Sequence, residues 1–150
     1  MIQVEDLTKH YGPSRGVENL NFTTNMGEIV GFLGPNGAGK ATTMRMLTGA
    51  MPPNRGSVTI NGLDIFKKPL EVKRHVGYLP ESPPLYMDMP VRAYLTFVAR
   101  LKGLDSKIIK SSVEDAMAKT HVDEVADRLI QNLSKGYRQR IGLAQAIIHN

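Results

Sequence analysis

The sequence contains no cysteine, no long apolar run and no basic, apolar leader at its start. Without cysteine the chain forms no disulfide and no thiolate metal site, which suits a cytosolic protein and argues against redox chemistry. Its longest apolar stretches, such as "IVGFL", are too short to span a bilayer, and "MIQVEDLTKH" places acidic residues where a signal peptide needs a basic and then an apolar run. Any membrane role is therefore expected to come through a partner.

What the sequence does have is positive charge. Its 150 residues are enough for one medium domain with a real core, and they carry a formal net charge of +5 and a pI near 9.6. Nucleotide phosphates, nucleic acid and anionic lipid headgroups would all suit such a chain. Charge alone does not choose among these partners.

Short apolar runs separated by glycine, proline and asparagine predict a β-rich first third. The predicted strands are "IQVEDL", "VENLNF" and "EIVGFL", with "SVTINGLDI" and "HVGYLP" farther along. A helix is predicted from about Lys40 to the turn near Gly49. Helical spacing of apolar residues then predicts helices in the middle of the chain and after the "NLSKG" turn, on the basis of Val91, Leu95, Val98, Leu101, Ile109, Val113, Met117, Ile141, Ala144 and Ile148.

The stretch "GPNGAGK", Gly34 to Lys40, lies between a predicted strand and a predicted helix, which is the context in which a glycine-rich loop binds phosphate. Backbone N–H groups from about Gly37 to Thr42 are expected to surround the anion, with the Lys40 ammonium on the terminal phosphates. Such loops continue with a hydroxyl that completes the Mg²⁺ shell, but here Ala41 takes that position. Phosphate binding should survive this change better than metal positioning. The alternative is a merely flexible glycine turn.

Three other short motifs accompany this loop. Tyr11 in "LTKHYG" follows a predicted strand, where its ring either packs in the ordinary way or lies against a base. Glu81 in "VGYLPE" is either an exposed loop residue or a carboxylate for Mg²⁺. Ser134 in "NLSKGYRQRIGLAQAI" precedes a helix that should start near Gly136, so its hydroxyl either caps a plain turn or forms an anion site with the exposed N–H groups.

Together these motifs resemble the nucleotide-binding domain of ATP-binding cassette (ABC) transporters, over essentially the whole chain. The resemblance implies ATP and Mg²⁺ as cofactors and Lys40 and Glu81 as catalytic residues, with Glu81, at the Gln-loop position, as the metal ligand. In the signature motif Lys135 and Tyr137 replace the usual second glycine and glutamine. The ATP contacts that the resemblance implies are Tyr11 against adenine, Gly34, Asn36, Gly37, Gly39, Lys40, Ala41, Thr42 and Thr43 around the phosphates, and Ser134 and Gly136 facing the γ-phosphate of a second subunit.

The fold that the resemblance implies is α/β, a phosphate-loop NTPase core with an antiparallel β portion and an inserted helical subdomain. We expect a single ABC-type domain over residues 1–150, with a core at about 1–81 and 133–150 and a helical subdomain at about 82–131. The sequence holds no counterpart of the family's metal-binding Asp, water-orienting Glu or switch His. We therefore expect a C-terminally incomplete domain, ending before the Walker B motif, that binds ATP without hydrolysing it.

The implied function is that of an ATP-binding subunit that couples ATP binding and hydrolysis to transport. Its expected partners are transmembrane permease subunits and a second nucleotide-binding domain, and its expected place is cytoplasmic, at the inner face of the cell membrane. The loop "ESPPLYMDMP" is expected either to expose Leu85, Tyr86 and Met87 to a membrane subunit or to fill a gap between subdomains.

Two other functions stay open. One is a soluble ABC-type ATPase that acts on nucleic acid, which tight, salt-dependent binding of DNA or RNA would favour. The other is a nucleotide-binding domain that does not hydrolyse, which Ala41 favours.

Overall fold

The computed structural model describes residues 1–12 and 14–149, in two compact units, Met1–Lys73 and Arg74–Asn150. The finer division into a core and an inserted helical subdomain remains a prediction. The first unit is built on an antiparallel sheet with the strand order β2-β1-β3-β4. Its elements are β1 (Ile2–Tyr11), β2 (Ser14–Thr24), α1 (Lys40–Leu47), β3 (Arg55–Ile60), β4 (Leu63–Asp64) and α2 (Pro69–Lys73).

An irregularity in β1 shapes the sheet and its core. Strict alternation would place Val4 and Leu7 on opposite faces of a strand, yet both are buried. The pairing of β1 with β2 shifts register between these two residues, where Asp6 has a left-handed φ of 47°. The Asn21 side chain accepts a hydrogen bond from the Asp6 N–H at 2.8 Å, which satisfies the donor that the bulge releases.

Two predicted strands are absent from the described residues. "EIVGFL" (28–33) and "HVGYLP" (75–80) both have irregular backbone, so these predictions are wrong. Ile29 is 100% exposed and Leu33 is 91% exposed. The physical reason is that no described strand pairs with either segment, and an apolar run becomes a strand only when a neighbour takes its hydrogen bonds and covers its faces.

The predicted strand "SVTINGLDI" is in fact a hairpin. β3 ends at Ile60 and β4 starts at Leu63, with Asn61 and Gly62 between them at φ values of 51° and 77°. Asn-Gly is the preferred pair for a two-residue turn in which both residues have positive φ. The Asn-Gly pair is therefore a turn signal within the stretch that the alternation predicts as one strand.

The second unit is helical. It comprises α3 (Val91–Leu101), α4 (Ser106–Thr120) and α5 (Lys135–Ile147), with short 3₁₀ turns at Asp123–Val125 and Ile130–Asn132. The helical spacing correctly predicted α3, α4 and α5, although Leu101 proves to be exposed and not part of the core. The buried apolar residues that the three helices share around one core include Val91, Leu95, Val98, Val113, Met117, Ile141, Ala144 and Ile148.

A small polar cluster lies beyond the end of α5. Neither ring nitrogen of His149 has a hydrogen-bond partner, although both are buried. Burial, with the nearby charges of Lys102 and His75, lowers the pKa of His149. The Lys102 ammonium donates to the Val76 carbonyl at 2.6 Å, and burial lowers its pKa as well. His149 is thus a packed histidine whose charged form is disfavoured, as expected for a histidine outside any catalytic motif.

Candidate nucleotide-binding site

The predicted phosphate loop leads directly into helix α1, as expected. Gly37 and Gly39 have φ values of 85° and 83°, in the left-handed region that glycine adopts without strain. A Cβ added at Gly37 would meet nothing within 4 Å, whereas one at Gly39 would lie 2.3 Å from the Gly16 carbonyl oxygen. Gly37 therefore leaves its surroundings open for a ligand, and Gly39 allows the loop to approach strand β2. Gly34 and Asn36 are exposed in the same loop.

Lys40, the first residue of α1, turns its side chain back over the loop. Its ammonium donates to the carbonyl oxygens of Gly34 and of Pro35, the latter at 2.7 Å. These two acceptors hold a positive charge directly above the loop, at the N-terminal end of a helix where the backbone dipole also favours an anion. The position and the charge both fit the role that the sequence predicts for Lys40.

The first turn of α1 places two hydroxyls after the methyl group of Ala41. The Thr42 hydroxyl oxygen lies 3.3 Å from that of Tyr11. The Thr43 hydroxyl donates to the Gly39 carbonyl at 3.0 Å, and the residue is only 1% exposed. Both hydroxyls are thus engaged within the protein, and neither takes over the position of the oxygen that Ala41 lacks.

Tyr11 ends strand β1 and stands over the start of α1. Its hydroxyl donates to the Met51 sulfur at 3.2 Å in addition to its contact with Thr42, and the residue is 46% exposed. A tyrosine that serves only as core packing would be buried. Here a half-exposed tyrosine is held beside the start of α1, where a partly exposed ring suits contact with a planar ligand.

Sequence reasoning missed Gly16, which lies in β2 beside the Tyr11 ring and the phosphate loop. A Cβ added at Gly16 would lie 2.8 Å from Cε2 of Tyr11 and 2.9 Å from the Lys9 carbonyl oxygen. The only signal in the sequence was a glycine directly before the predicted strand "VENLNF", and a glycine in or next to a strand often marks a close approach of other groups.

The remaining predicted site residues belong to the second unit. Ser134 is the N-cap of α5, and its hydroxyl oxygen accepts from the Tyr137 N–H at 3.4 Å. A Cβ at Gly136 would meet only the Ser134 hydroxyl oxygen, at 3.8 Å, so the space before the helix is open. The predicted cap is therefore confirmed, and the anion site formed with the N–H groups of the first turn remains a prediction.

Tyr137, a departure from the family signature, is anchored on both sides. Its hydroxyl donates to the Glu124 carboxylate, and this hydrogen bond raises the pKa of Tyr137. The Arg140 guanidinium lies 5.6 Å from the centre of the ring. The hydrogen bond to Glu124 joins the first turn of α5 to the 3₁₀ turn at Asp123–Val125, while the Arg140 contact lies within α5.

Glu81 is exposed in the irregular segment that precedes α3, and α5 supports that segment. The Gln139 amide donates to the Glu81 carbonyl oxygen. A Cβ at Gly142 would lie 2.8 Å from both Leu79 and Pro83, so this helix position has room only for glycine. Gln139 and Gly142 were not predicted, although their spacing of three residues places them on one helix face.

The Glu81 carboxylate does not form part of a larger acidic group. Within residues 1–12 and 14–149, no cluster of three or more histidine and acidic side chains is placed to hold a metal ion. The role of Glu81 as a metal ligand therefore remains a prediction. In the described part of the chain, no helix is both long and apolar enough to cross a membrane.

Comparison with known proteins agrees with this arrangement. The sequence profile of the family described as "ABC transporter" matches residues 17–150. The chain is 39% identical to the SkfA peptide export ATP-binding protein SkfE of Bacillus subtilis, covering all of this chain and 62% of that protein. It is 38% identical to the uncharacterized ABC transporter ATP-binding protein YxlF of the same organism, covering 99% of this chain and 49% of that protein.

Solved structures agree as well. The structure of an ATP-binding subunit of an ABC transporter superposes with a TM-score of 0.90 at 28% identity, covering 99% of this chain and 62% of that one. The α/β fold is thus that of ABC ATPase domains, and the chain belongs to the ABC transporter family. It spans 49% of the length of YxlF and 62% of the length of SkfE.

Proposed function

We propose that this protein binds ATP as the nucleotide-binding subunit of an ABC transporter and couples ATP binding and hydrolysis to transport through membrane subunits. The observation that carries the proposal is the grouping in the first unit. The half-exposed Tyr11 ring, the glycine-rich loop of residues 34–39 and the Lys40 ammonium lie together at the N-terminal end of α1. An aromatic face, a backbone cradle and a fixed cation are what adenine and a polyphosphate chain require.

The fit to Mg²⁺ is poorer than the fit to ATP. Bound Mg²⁺ would balance the phosphate charge, but Ala41 offers it no side-chain oxygen, and the hydroxyls of Thr42 and Thr43 have partners within the protein. We propose that water or Glu81 supplies the missing ligand. A domain that binds nucleotide without hydrolysing it is the second candidate function, and the methyl group of Ala41 is the observation that favours it.

The second unit supports the proposed partners. The open N-terminus of α5 at Ser134 and Gly136 suits a γ-phosphate held by a second nucleotide-binding domain. Tyr86 and Met87 are exposed, as a docking loop for a permease subunit requires. Leu85 instead packs against the helical core, which corrects the expectation that all three side chains are exposed. Through such a permease the protein would be peripheral at the inner face of the membrane.

Titration with a fluorescent ATP analogue tests the proposal. The protein should bind the analogue saturably and release it to unlabelled ATP, and Lys40→Ala should weaken binding by about tenfold or more, because a charge-assisted contact with phosphate is lost. Lys67→Ala, which removes an exposed lysine of the same unit, is the control and should bind as the unmodified protein does. Equal affinity of the two variants would contradict the assigned role of the loop.

A further inference from the structure

Gly16 contacts two parts of the site at once. On one side its Cα faces the Tyr11 ring, so that an added Cβ would lie 2.8 Å from Cε2 and 3.1 Å from Cδ2. On the other side its carbonyl oxygen faces Gly39 of the phosphate loop, where an added Cβ would approach it to 2.3 Å. The backbone of Gly16 therefore lies between the Tyr11 ring and the phosphate loop and contacts both.

The glycine at this position is needed for room and not for backbone conformation. Gly16 is absent from the residues with left-handed φ, so alanine could adopt its backbone angles. What alanine would lack is space, because contacts below 3.0 Å force some group to move. The Lys9 carbonyl, at 2.9 Å, belongs to the paired hairpin, in which Lys9 lies opposite Val17.

We propose that Gly16 is a positioning residue for the nucleotide base. Because Gly16 has no side chain, the Tyr11 ring can pack close to strand β2, and the position of the ring sets the distance of the base from the phosphate loop. This inference rests on the proposed function. Because the ring is more easily displaced than the hairpin backbone, a methyl group at position 16 moves the ring outward. The Tyr11 hydroxyl then leaves Thr42, and the ring no longer meets a base whose phosphates are held by Lys40.

A double-mutant cycle with two ligands tests this inference. The variants are Gly16→Ala, Tyr11→Ala and both together, and the ligands are ATP and inorganic tripolyphosphate, measured by displacement of a fluorescent ATP analogue. Gly16→Ala should weaken the binding of ATP by about fivefold or more, which corresponds to losing most of one base–aromatic stack. The same variant should bind tripolyphosphate as tightly as the unmodified protein does. In the Tyr11→Ala background, Gly16→Ala should add no further loss.

Three results would overturn the inference. If Gly16→Ala weakened the binding of ATP and of tripolyphosphate equally, position 16 would act on the phosphate loop and not on the base. Additive losses in the double variant would mean that it acts independently of the ring. Unchanged ATP affinity in Gly16→Ala would mean that the ring is not positioned by this contact.

Controls separate this inference from folding and from the proposed function. Gly31→Ala makes the same chemical change where an added Cβ meets nothing within 4 Å, and it should leave binding of both ligands unchanged. If Gly16→Ala unfolds, removing the ring in the double variant should restore folding, and failure to do so would place the clash at Lys9 and overturn the inference. If the unmodified protein binds no ATP, the proposed function itself fails.

Discussion

Residues 41 to 43, in the first turn of helix α1, carry a methyl group followed by two hydroxyls. Both hydroxyls have partners inside the first unit, Tyr11 for Thr42 and the Gly39 carbonyl for Thr43. A Mg²⁺ ion brought by ATP would therefore find no side-chain oxygen at the position where phosphate loops normally supply one. The backbone N–H of position 41 is unaffected, because alanine and serine have the same main chain.

Restoring the hydroxyl should make ATP binding more dependent on Mg²⁺. We expect Ala41→Ser to increase the ratio of ATP affinities with and without Mg²⁺ by roughly tenfold, since one direct metal ligand is regained. The measurement is a titration of a fluorescent ATP analogue at saturating Mg²⁺ and in excess chelator. Ala41→Thr should behave like Ala41→Ser, while Ala41→Val, which has the shape of threonine without its oxygen, should not. An equal Mg²⁺ response in all four proteins would contradict the assignment.

Among the elements, helix α5 contributes to two parts of the second unit. Its first turn presents Ser134 and Gly136, and its flank holds the segment 77–83 through Gln139, Gly142 and Ala146. A Cβ at Gly77 would lie 2.1 Å from the Ala146 carbonyl oxygen, and one at Gly142 would lie 2.8 Å from Leu79 and Pro83. Small residues on both surfaces therefore let an irregular segment pack directly on a helix.

Filling this contact should destabilise the second unit. We expect Gly142→Val to lower the free energy of unfolding by about 1–3 kcal/mol, because Leu79 and Pro83 leave no room for a larger side chain. Urea unfolding measures the change, and hydrogen exchange should show faster exchange in residues 77–83. Leu143→Val, at the exposed neighbouring position, introduces the same branched side chain and should change stability much less. Similar effects of the two substitutions would show that the branched side chain weakens the helix and that the packing contact is unimportant.

An element could be predicted from the sequence when the residues that determine it are close together in the chain. Helix α5 was predicted because Ser134, the cap, and Ile141 and Ala144, the apolar face, are close together in sequence. The segment 28–33 was predicted wrongly because a strand also requires a partner, which its own residues do not specify. At the site, the loop and Tyr11 were found from motifs. Gly16 was not, because its role follows from a contact across the β1–β2 hairpin and with a distant loop.

At the scale of the whole molecule, the absence of cysteine allows a clean test of the proposed membrane partner. A single cysteine introduced as Met87→Cys is the only thiol in the chain, and Met87 is exposed beside Tyr86, which packs on Phe97 at 5.5 Å between ring centres. We expect a thiol-reactive photo-crosslinker at this position to capture a permease subunit in the assembled transporter. Leu70→Cys, exposed in the first unit, is the control and should capture none. Equal capture from both positions, or none from position 87, would contradict the proposed docking loop.

The contacts along α5 have a consequence for motion within the second unit. The helix spans 13 residues, or about 20 Å, and it joins the end capped by Ser134, the proposed phosphate contact, to a flank that carries the segment leading to Tyr86 and Met87. Because Gly77 and Gly142 leave no gap at this contact, the segment cannot slide freely over the helix. A shift of α5 by 1–2 Å, the scale on which packed helices move in switching proteins, would be passed to the segment as a rigid-body displacement. Ligand contact at Ser134 and the position of the exposed loop would then be mechanically linked.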